Sequence, residues 1–271
     1  MSEAVKAGDL LAGAMARFEQ MAAEGRERGE RWRTWAAGQS ARTCRKHGVA
    51  LPIDEDASLR ASRDEMTIVP KPCPDCVKEG AEIETRARLM SSGVPANLAH
   101  ATLDNWTAAT DEAKHALVKV RDFAARGRGF LVLMGRDYGI GKSHLAVAVM
   151  RVVRPARFLS QNQLLLKLRA TYRDDRAEDI VEACKRVRLL VVDEVGLSGG
   201  GRDELPMLHE ILNHRHGAMK PTVLTSNLEK DEFVAALGER MIDRLRESAF
   251  ASITLHGKSH RPERRANYHQ P

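Results

Sequence analysis

The stretch GRDYGIGKSH, residues 135–144, holds the residue types that grip a nucleotide's phosphates. The common pattern is a glycine, four residues, then glycine, lysine and serine or threonine. Gly141, Lys142 and Ser143 supply its end, but five residues before Gly141 stands Arg136, and the nearest glycine, Gly135, comes one position too early. In such a loop backbone N–H groups curl round the β-phosphate and a helix N-terminus turns its positive end toward the anion. The lysine adds a point charge and the hydroxyl ligates Mg²⁺. Gly139 and Gly141 flank Ile140 where the backbone must come closest to the phosphates, and Lys142, Ser143 and His144 follow in register. The half of the motif that touches phosphate is therefore intact, and ATP is the ligand it implies. The irregularity sits where the chain leaves the preceding strand. Gly135 can ease that turn, and one extra residue can bulge outward.

A loop that had lost its ligand would be expected to lose its partners too, and they are present. RLLVVDEVG ends an apolar run in Asp193 and Glu194, and TVLTSN ends another in Asn227. Asp193 can hold Mg²⁺, usually through water, and Glu194 can polarise an attacking water. The C-terminal ends of parallel strands face one crevice, so these groups converge on it. Each alone has a plainer reading: Asp-Glu after a strand is often a turn, and Asn227 could cap a helix.

A second constellation lies upstream. Cys44-x-x-His47 and Cys73-x-x-Cys76 form two pairs with no other Cys or His between them. Tetrahedral Zn²⁺ takes four N/S ligands, and two-residue gaps let each pair grip one side of it. Pro74 suits a tight turn within the second pair, and the charged DEDASLRASRDE between the pairs has little to fold around without metal. The alternative is two incidental or reactive pairs. Cys184, in EACKR, reads as a plain core residue. HEILNH, His209 to His214, resembles a zinc-protease helix, but that motif spaces its histidines four apart on one face. Here they are five apart, and the segment reads as a surface helix.

The elements that position these residues follow from apolar periodicity. Leu11, Met15, Phe18 and Ala22 make one stripe on a helix from residue 3 to about 37. That stripe packs on its own chain or docks a partner. AEIETRARLM reads as a helix and SSGVPANLAHATLDNW as a linker with anchors of its own. From about residue 112 short apolar strands (FLVLM, ARFLS, RLLVVD, TVLTSN, SITLH) alternate with helices, which indicates an α/β fold with a parallel sheet and helices on both faces. The reading divides the chain into an N-terminal helical segment over 1–40, a zinc module over 41–80, a linker over 81–111 and an ATPase domain over 112–271.

Charge gives a weaker indication. The net charge is +6 from 43 basic and 37 acidic residues. The excess gathers in residues 151–175 and 240–271, where a polyanion would bind first; solvated helix faces would look the same. No apolar run approaches the ~20 residues of a membrane span, and the first residues lack a signal peptide's basic start and apolar core. A cytoplasmic protein is the expectation.

The order of phosphate loop, DE strand, Asn-tipped strand and arginine-bearing helix resembles the AAA+ ATPases. GIGKSHLAVAV, LLVVDEVG, LHEILNHRHGAMKPTVLTSNL and LGERMIDRLRE resemble the DnaC-type replicative helicase loaders and, more distantly, the IstB transposition ATPases. The resemblance covers roughly residues 84–262, and a zinc knuckle ahead of the ATPase resembles some phage and prophage relatives. It departs at Arg136 and at the triple glycine Gly199–Gly201. It implies an arginine finger at Arg244, with Arg240 and Arg246 as competitors, and a second sensor arginine at Arg261. These arginines would stabilise charge on the transferring phosphoryl group. It also implies single-stranded DNA held by the segment before the DE strand, where Arg157, Lys167, Arg169, Tyr172 and Arg173 offer cations and a ring to stack on. The implied partners are a hexameric DnaB-type helicase, gripped by the N-terminal helix, and further copies of the chain. A transposition helper ATPase and a non-hydrolysing zinc-containing DNA-binding adaptor are the alternatives.

Overall fold

The computed structural model describes residues 2–39, 42–62, 65–171, 177–196, 204–257 and 259. The chain divides into two compact units, Met1–Glu82 and Ile83–Pro271.

In the first unit helix α1 spans Ser2–Ala37. At its C-terminal end Trp32 and Ala36 are buried, and the Trp32 indole N–H donates to the Thr67 carbonyl at 3.0 Å. Further up, Met15 and Phe18 are 60% and 76% exposed. Helix α2, Glu55–Ala61, lies between the two cysteine pairs, and helix α3, Pro74–Ser91, begins inside the second. Both elements differ from the sequence reading, for physical reasons. The charged segment does fold around something: Asp54 caps α2 by accepting from Ala57 N at 2.9 Å. Ser58, fully buried, donates from Oγ to the Asp54 carbonyl at 2.6 Å and accepts from Val69 N at 2.8 Å. Ser62 Oγ accepts from Thr67 N at 2.8 Å. CPDC is not a tight turn, because Pro74 opens α3, the one helical position where a missing N–H costs nothing.

The second unit follows the expected alternation. Helix α4 (Asp111–Arg126) starts at the Thr110 cap, whose side chain accepts from Ala113 N, and ends at Gly127 with φ 59°. Then come β1 (Phe130–Met134), α5 (Lys142–Val152), β2 (Ala156–Ser160), α6 (Gln161–Thr171), α7 (Ala177–Arg186), β3 (Leu189–Asp193) and α8 (Glu204–Gly217). The unit continues with β4 (Thr222–Thr225), α9 (Lys230–Leu237), α10 (Glu239–Ser248) and β5 (Ala249–Thr254). The strands form one parallel sheet in the order β2-β3-β4-β1-β5.

The three central strands are buried at every position. Their alternate residues enter different cores. Leu131, Leu133, Leu189, Val191 and Val223 pack with Phe123 of α4 and Val149 of α5. Phe130, Val132, Leu190, Val192 and Leu224 pack with Leu168, Leu208, Phe233 and Leu245 on the other face. Burial on both faces is why these strands read as unbroken apolar runs rather than as alternations. At the β2 edge Phe158 N donates to the Ser92 carbonyl at 2.8 Å. The approach is close enough that a Cβ on Gly93, φ 97°, would stand 2.2 Å from Phe158 O.

Helix α8 corrects the reading of HEILNH as a surface helix. One of its faces, Leu208, Ile211, Leu212 and Arg215, is wholly buried. Among the described residues Arg215 has no carboxylate partner. Its guanidinium instead fills a cage of neutral acceptors: Thr222 Oγ1 at 2.8 Å, the carbonyls of Cys184, Val187 and Arg188 at 2.8 Å, and that of Pro221 at 2.7 Å. The last carbonyls of a helix have no partner within it. Arg215 supplies donors for the end of α7 and ties that end to the start of β4. Burial lowers its pKa to about 10, which leaves it charged at neutral pH. Arg215→Met keeps the apolar stem and strands the carbonyls. It is expected to cost roughly 3–5 kcal/mol, read as a lower urea midpoint with an unchanged m-value.

Candidate functional site

The loop after β1 is built to bring backbone close to a ligand. Gly135, φ 145°, sits where a Cβ would lie 2.2 Å from the Leu255 carbonyl, so the turn out of the strand admits no other residue without movement. Arg136, the extra residue, points outward at 64% exposure and pairs with Glu232 of α9 at 2.6 Å. Asp137 Oδ2 accepts from Gly257 N at 3.2 Å. Gly139 and Gly141 take φ of 78° and 93°, the left-handed region that suits glycine. Lys142 opens α5 and is 7% exposed. Its ammonium donates to the carbonyls of Gly135 at 2.6 Å and Asp137 at 2.8 Å.

The β3 and β4 ends meet this loop. Ser143 Oγ donates to Asp193 at 2.8 Å to Oδ1 and 3.1 Å to Oδ2. Thr225 Oγ1 donates to the same Oδ1 and accepts from Glu194 N at 3.0 Å. Glu194 is exposed and holds φ 59°. Gly139 to His144, Asp193, Glu194, Thr225 and Asn227 all line one cleft of about 490 Å³. A hydroxyl and a carboxylate converging beside a buried ammonium fit a phosphate with its Mg²⁺: Ser143 and Asp193 would hold the cation.

The segment before α4, read from sequence as a linker, forms part of this site. Pro95, Asn97, Leu98 and His100 line the cleft. His144 Nε2 donates to the Thr102 carbonyl at 3.0 Å and Asn105 Oδ1 at 2.8 Å, and Arg151 donates to the carbonyls of Ala99 and Ala101 at 2.6 Å. Trp106 is 7% exposed and lies against the loop, so a Cβ on Gly141 would come within 2.3 Å of its Nε1.

The four upstream ligand atoms form a second centre. At tetrahedral angles, Zn–S and Zn–N bonds of usual length put S and N about 3.6 Å apart and two S atoms about 3.8 Å apart. His47 Nδ1 lies 3.6, 3.5 and 3.5 Å from the sulfurs of Cys44, Cys73 and Cys76, and Cys44 and Cys76 are 3.7 Å apart. These four edges fit a Zn²⁺ tetrahedron. The other nitrogen, Nε2, meets Glu79 Oε1 at 3.2 Å, and Lys46 pairs with the same carboxylate. Without metal, the His47 backbone N–H lowers the Cys44 pKa to about 6, and the hydrogen bond to Cys44 pushes Cys76 up to about 11.

Residues 85–267 match the family described as IstB-like ATP binding protein. The chain belongs to that family. Among curated relatives, the replicative helicase loader DnaC of Escherichia coli K12 is 25% identical over 179 residues, 61% of this chain and 73% of DnaC. YdaV of the same strain is 24% identical over 201 residues, 71% of this chain and 80% of YdaV. A crystal structure of the DnaC helicase loader superposes with a TM-score of 0.53 at 19% identity, over 60% of this chain and 100% of that one. AMPPCP-bound DnaA from Aquifex aeolicus gives 0.51 at 19%, over 57% of this chain and 50% of DnaA. The fold of this IstB-like chain is therefore the AAA+ α/β fold, and it resembles the DnaC-type loaders.

The residues that only the resemblance implied fall elsewhere. Arg244 lies on α10, outside the nucleotide cleft, in a separate hollow with Arg240, His209 and Asn213. Lys167 and Arg169 are exposed on α6, while Arg157 is half-buried on the edge strand β2. Desolvation raises the Cys184 pKa, and Arg157, hydrogen-bonded to that thiol, opposes the rise. Tyr172, Arg173, Arg261 and the triple glycine lie outside the described residues. Sequence reasoning missed Arg215, Thr225 and Glu79. Each acts through hydrogen bonds to distant groups and carries no local spacing signal. Among the described residues no helix is long and apolar enough to cross a membrane. Gly141→Ala must displace Trp106 and strain a left-handed φ. It is expected to lower stability by ~2 kcal/mol or more, and Trp106→Leu in the same chain should recover part of the loss in thermal melting.

Proposed function

We propose that this protein is an ATP-dependent loader of the replicative helicase onto single-stranded DNA. The observation that carries the reading is one cleft holding Lys142, Ser143, Asp193, Glu194 and Asn227 in a chain similar to DnaC along most of its length. Lys142 would reach the β- and γ-phosphates, with Ser143 and Asp193 on Mg²⁺. Glu194 orients and polarises the attacking water, and Asn227 stands beside it at the end of the neighbouring strand. Arg244, outside its own chain's cleft, supplies the finger for a neighbouring copy, so hydrolysis requires self-association. Arg261 is carried only by the resemblance. The exposed cations Lys167 and Arg169, with Arg157, Tyr172 and Arg173, track the DNA backbone.

In this reading α1 grips the hexameric helicase. The exposed Met15 and Phe18, about one turn apart, support that role. Zn²⁺ on Cys44, His47, Cys73 and Cys76 holds the module at its base. A transposition helper with the same ATPase remains the second reading, favoured by the IstB-like family match itself.

Three outcomes are expected. Lys142→Ala abolishes ATP binding in equilibrium titration; undiminished binding would place the site elsewhere. The purified chain carries one zinc by elemental analysis, and Cys73→Ser loses it. With ATP the protein co-elutes with its host's hexameric helicase in sizing chromatography, and deleting residues 1–40 abolishes the complex. Absence of a complex under every nucleotide condition would favour the transposition reading and a transposase as partner.

A further inference from the structure

One hydroxyl touches both acidic residues at the tip of β3, and no motif assigns it a part. Thr225 ends β4 and is 2% exposed. Its Oγ1 donates its proton to Asp193 Oδ1, and a lone pair of the same oxygen accepts the Glu194 N–H at 3.0 Å. Its backbone carbonyl accepts from Val195 N at 2.8 Å. Residues 193–195 are thus fixed, one after another, against a single residue of the next strand.

Both acids need such support. Glu194 holds φ 59°, a conformation residues with a Cβ rarely adopt, so something must hold its peptide N–H in place. Asp193 Oδ1 also receives Ser143 Oγ at 2.8 Å. With a cation bound, the Ser143 oxygen would itself be a ligand and less available to Asp193. Thr225 remains to fix the rotation of the carboxylate. Groups of this kind, one bond removed from the ligands, typically change metal affinity or activity 10–100-fold when lost.

We propose that Thr225 is a positioning residue of the cation site, its single hydroxyl setting both the Asp193 carboxylate and the backbone turn that presents Glu194. The proposal rests on the reading of the cleft as a Mg²⁺–ATP site. Valine keeps the shape of threonine and removes the hydroxyl, whereas serine keeps the hydroxyl and removes a methyl.

The experiment is a Mg²⁺ titration of the binding of a fluorescent ATP analogue to the full chain, alongside thermal melting, for the wild type, Thr225→Val and Thr225→Ser. Nucleotide binding without Mg²⁺, measured in all three, is the baseline for each curve. The half-saturating Mg²⁺ concentration should rise about tenfold or more in Thr225→Val and stay within about twofold in Thr225→Ser. If valine unfolds at the assay temperature, Thr225→Ala poses the same question. An unchanged Mg²⁺ curve in a folded hydroxyl-less variant overturns the proposal, as does a serine variant as impaired as valine. A wild-type chain that binds no nucleotide at any Mg²⁺ concentration overturns the underlying reading instead.

Discussion

Everything at the nucleotide cleft depends on three strands being buried on both faces. With apolar cores above and below β1, β3 and β4, a slip of one residue would exchange the two cores, so the register is fixed. In that register Val192 lies beside Leu224 and Leu133 beside Thr225. The first polar residues after the apolar runs are then neighbours by necessity. Asp193 reaches both Ser143 and Thr225, and the loop leaving β1 closes over them. The chemistry is located by packing, and the polar residues have only to come next in the chain.

The same distinction explains what could be read from the sequence. Strands and helices of the second unit, the phosphate loop, the DE pair and the clustering of the four Cys and His residues were legible, because burial and convergence of side chains impose local periods and spacings. Arg215 was not, since a cation on the buried face of α8 breaks the apolar pattern that would reveal that face. Its partners are one threonine hydroxyl and carbonyls, which every residue has. The Ser58 and Ser62 hooks were illegible for the same reason, and a segment that looked unable to fold turns out to be held by hydroxyls. Pro74 was read as a turn former, although proline is equally at home at the first position of a helix. The span over 95–106 looked like a connector because its attachments, through His144 and Arg151, are side chain to backbone.

The two units meet the problem of stability differently. The second unit has a sheet and two extensive cores. In the first unit the buried apolar residues among those described are Trp32, Ala36, Cys44 and Cys73. So small a core cannot offset the entropy of ordering the chain, and units of this size commonly depend on a metal or another cross-link. Two of those four buried residues belong to the Cys/His cluster, so a metal held there would be part of the core. Glu79, on Nε2 of His47, favours the tautomer that leaves Nδ1 facing the sulfurs.

The contact between Trp106 and Gly141 has an optical consequence. An indole whose Nε1 lies 2.3 Å from where the loop glycine's Cβ would be is a fluorophore in the wall of the phosphate loop. The other two tryptophans, Trp32 and Trp35, belong to the first unit. The chain's intrinsic emission therefore has two sources, Trp106 at the loop and Trp32 with Trp35 in the first unit. Replacing Trp32 and Trp35 with phenylalanine would isolate the first, so that nucleotide arrival and departure could be followed in the unlabelled protein.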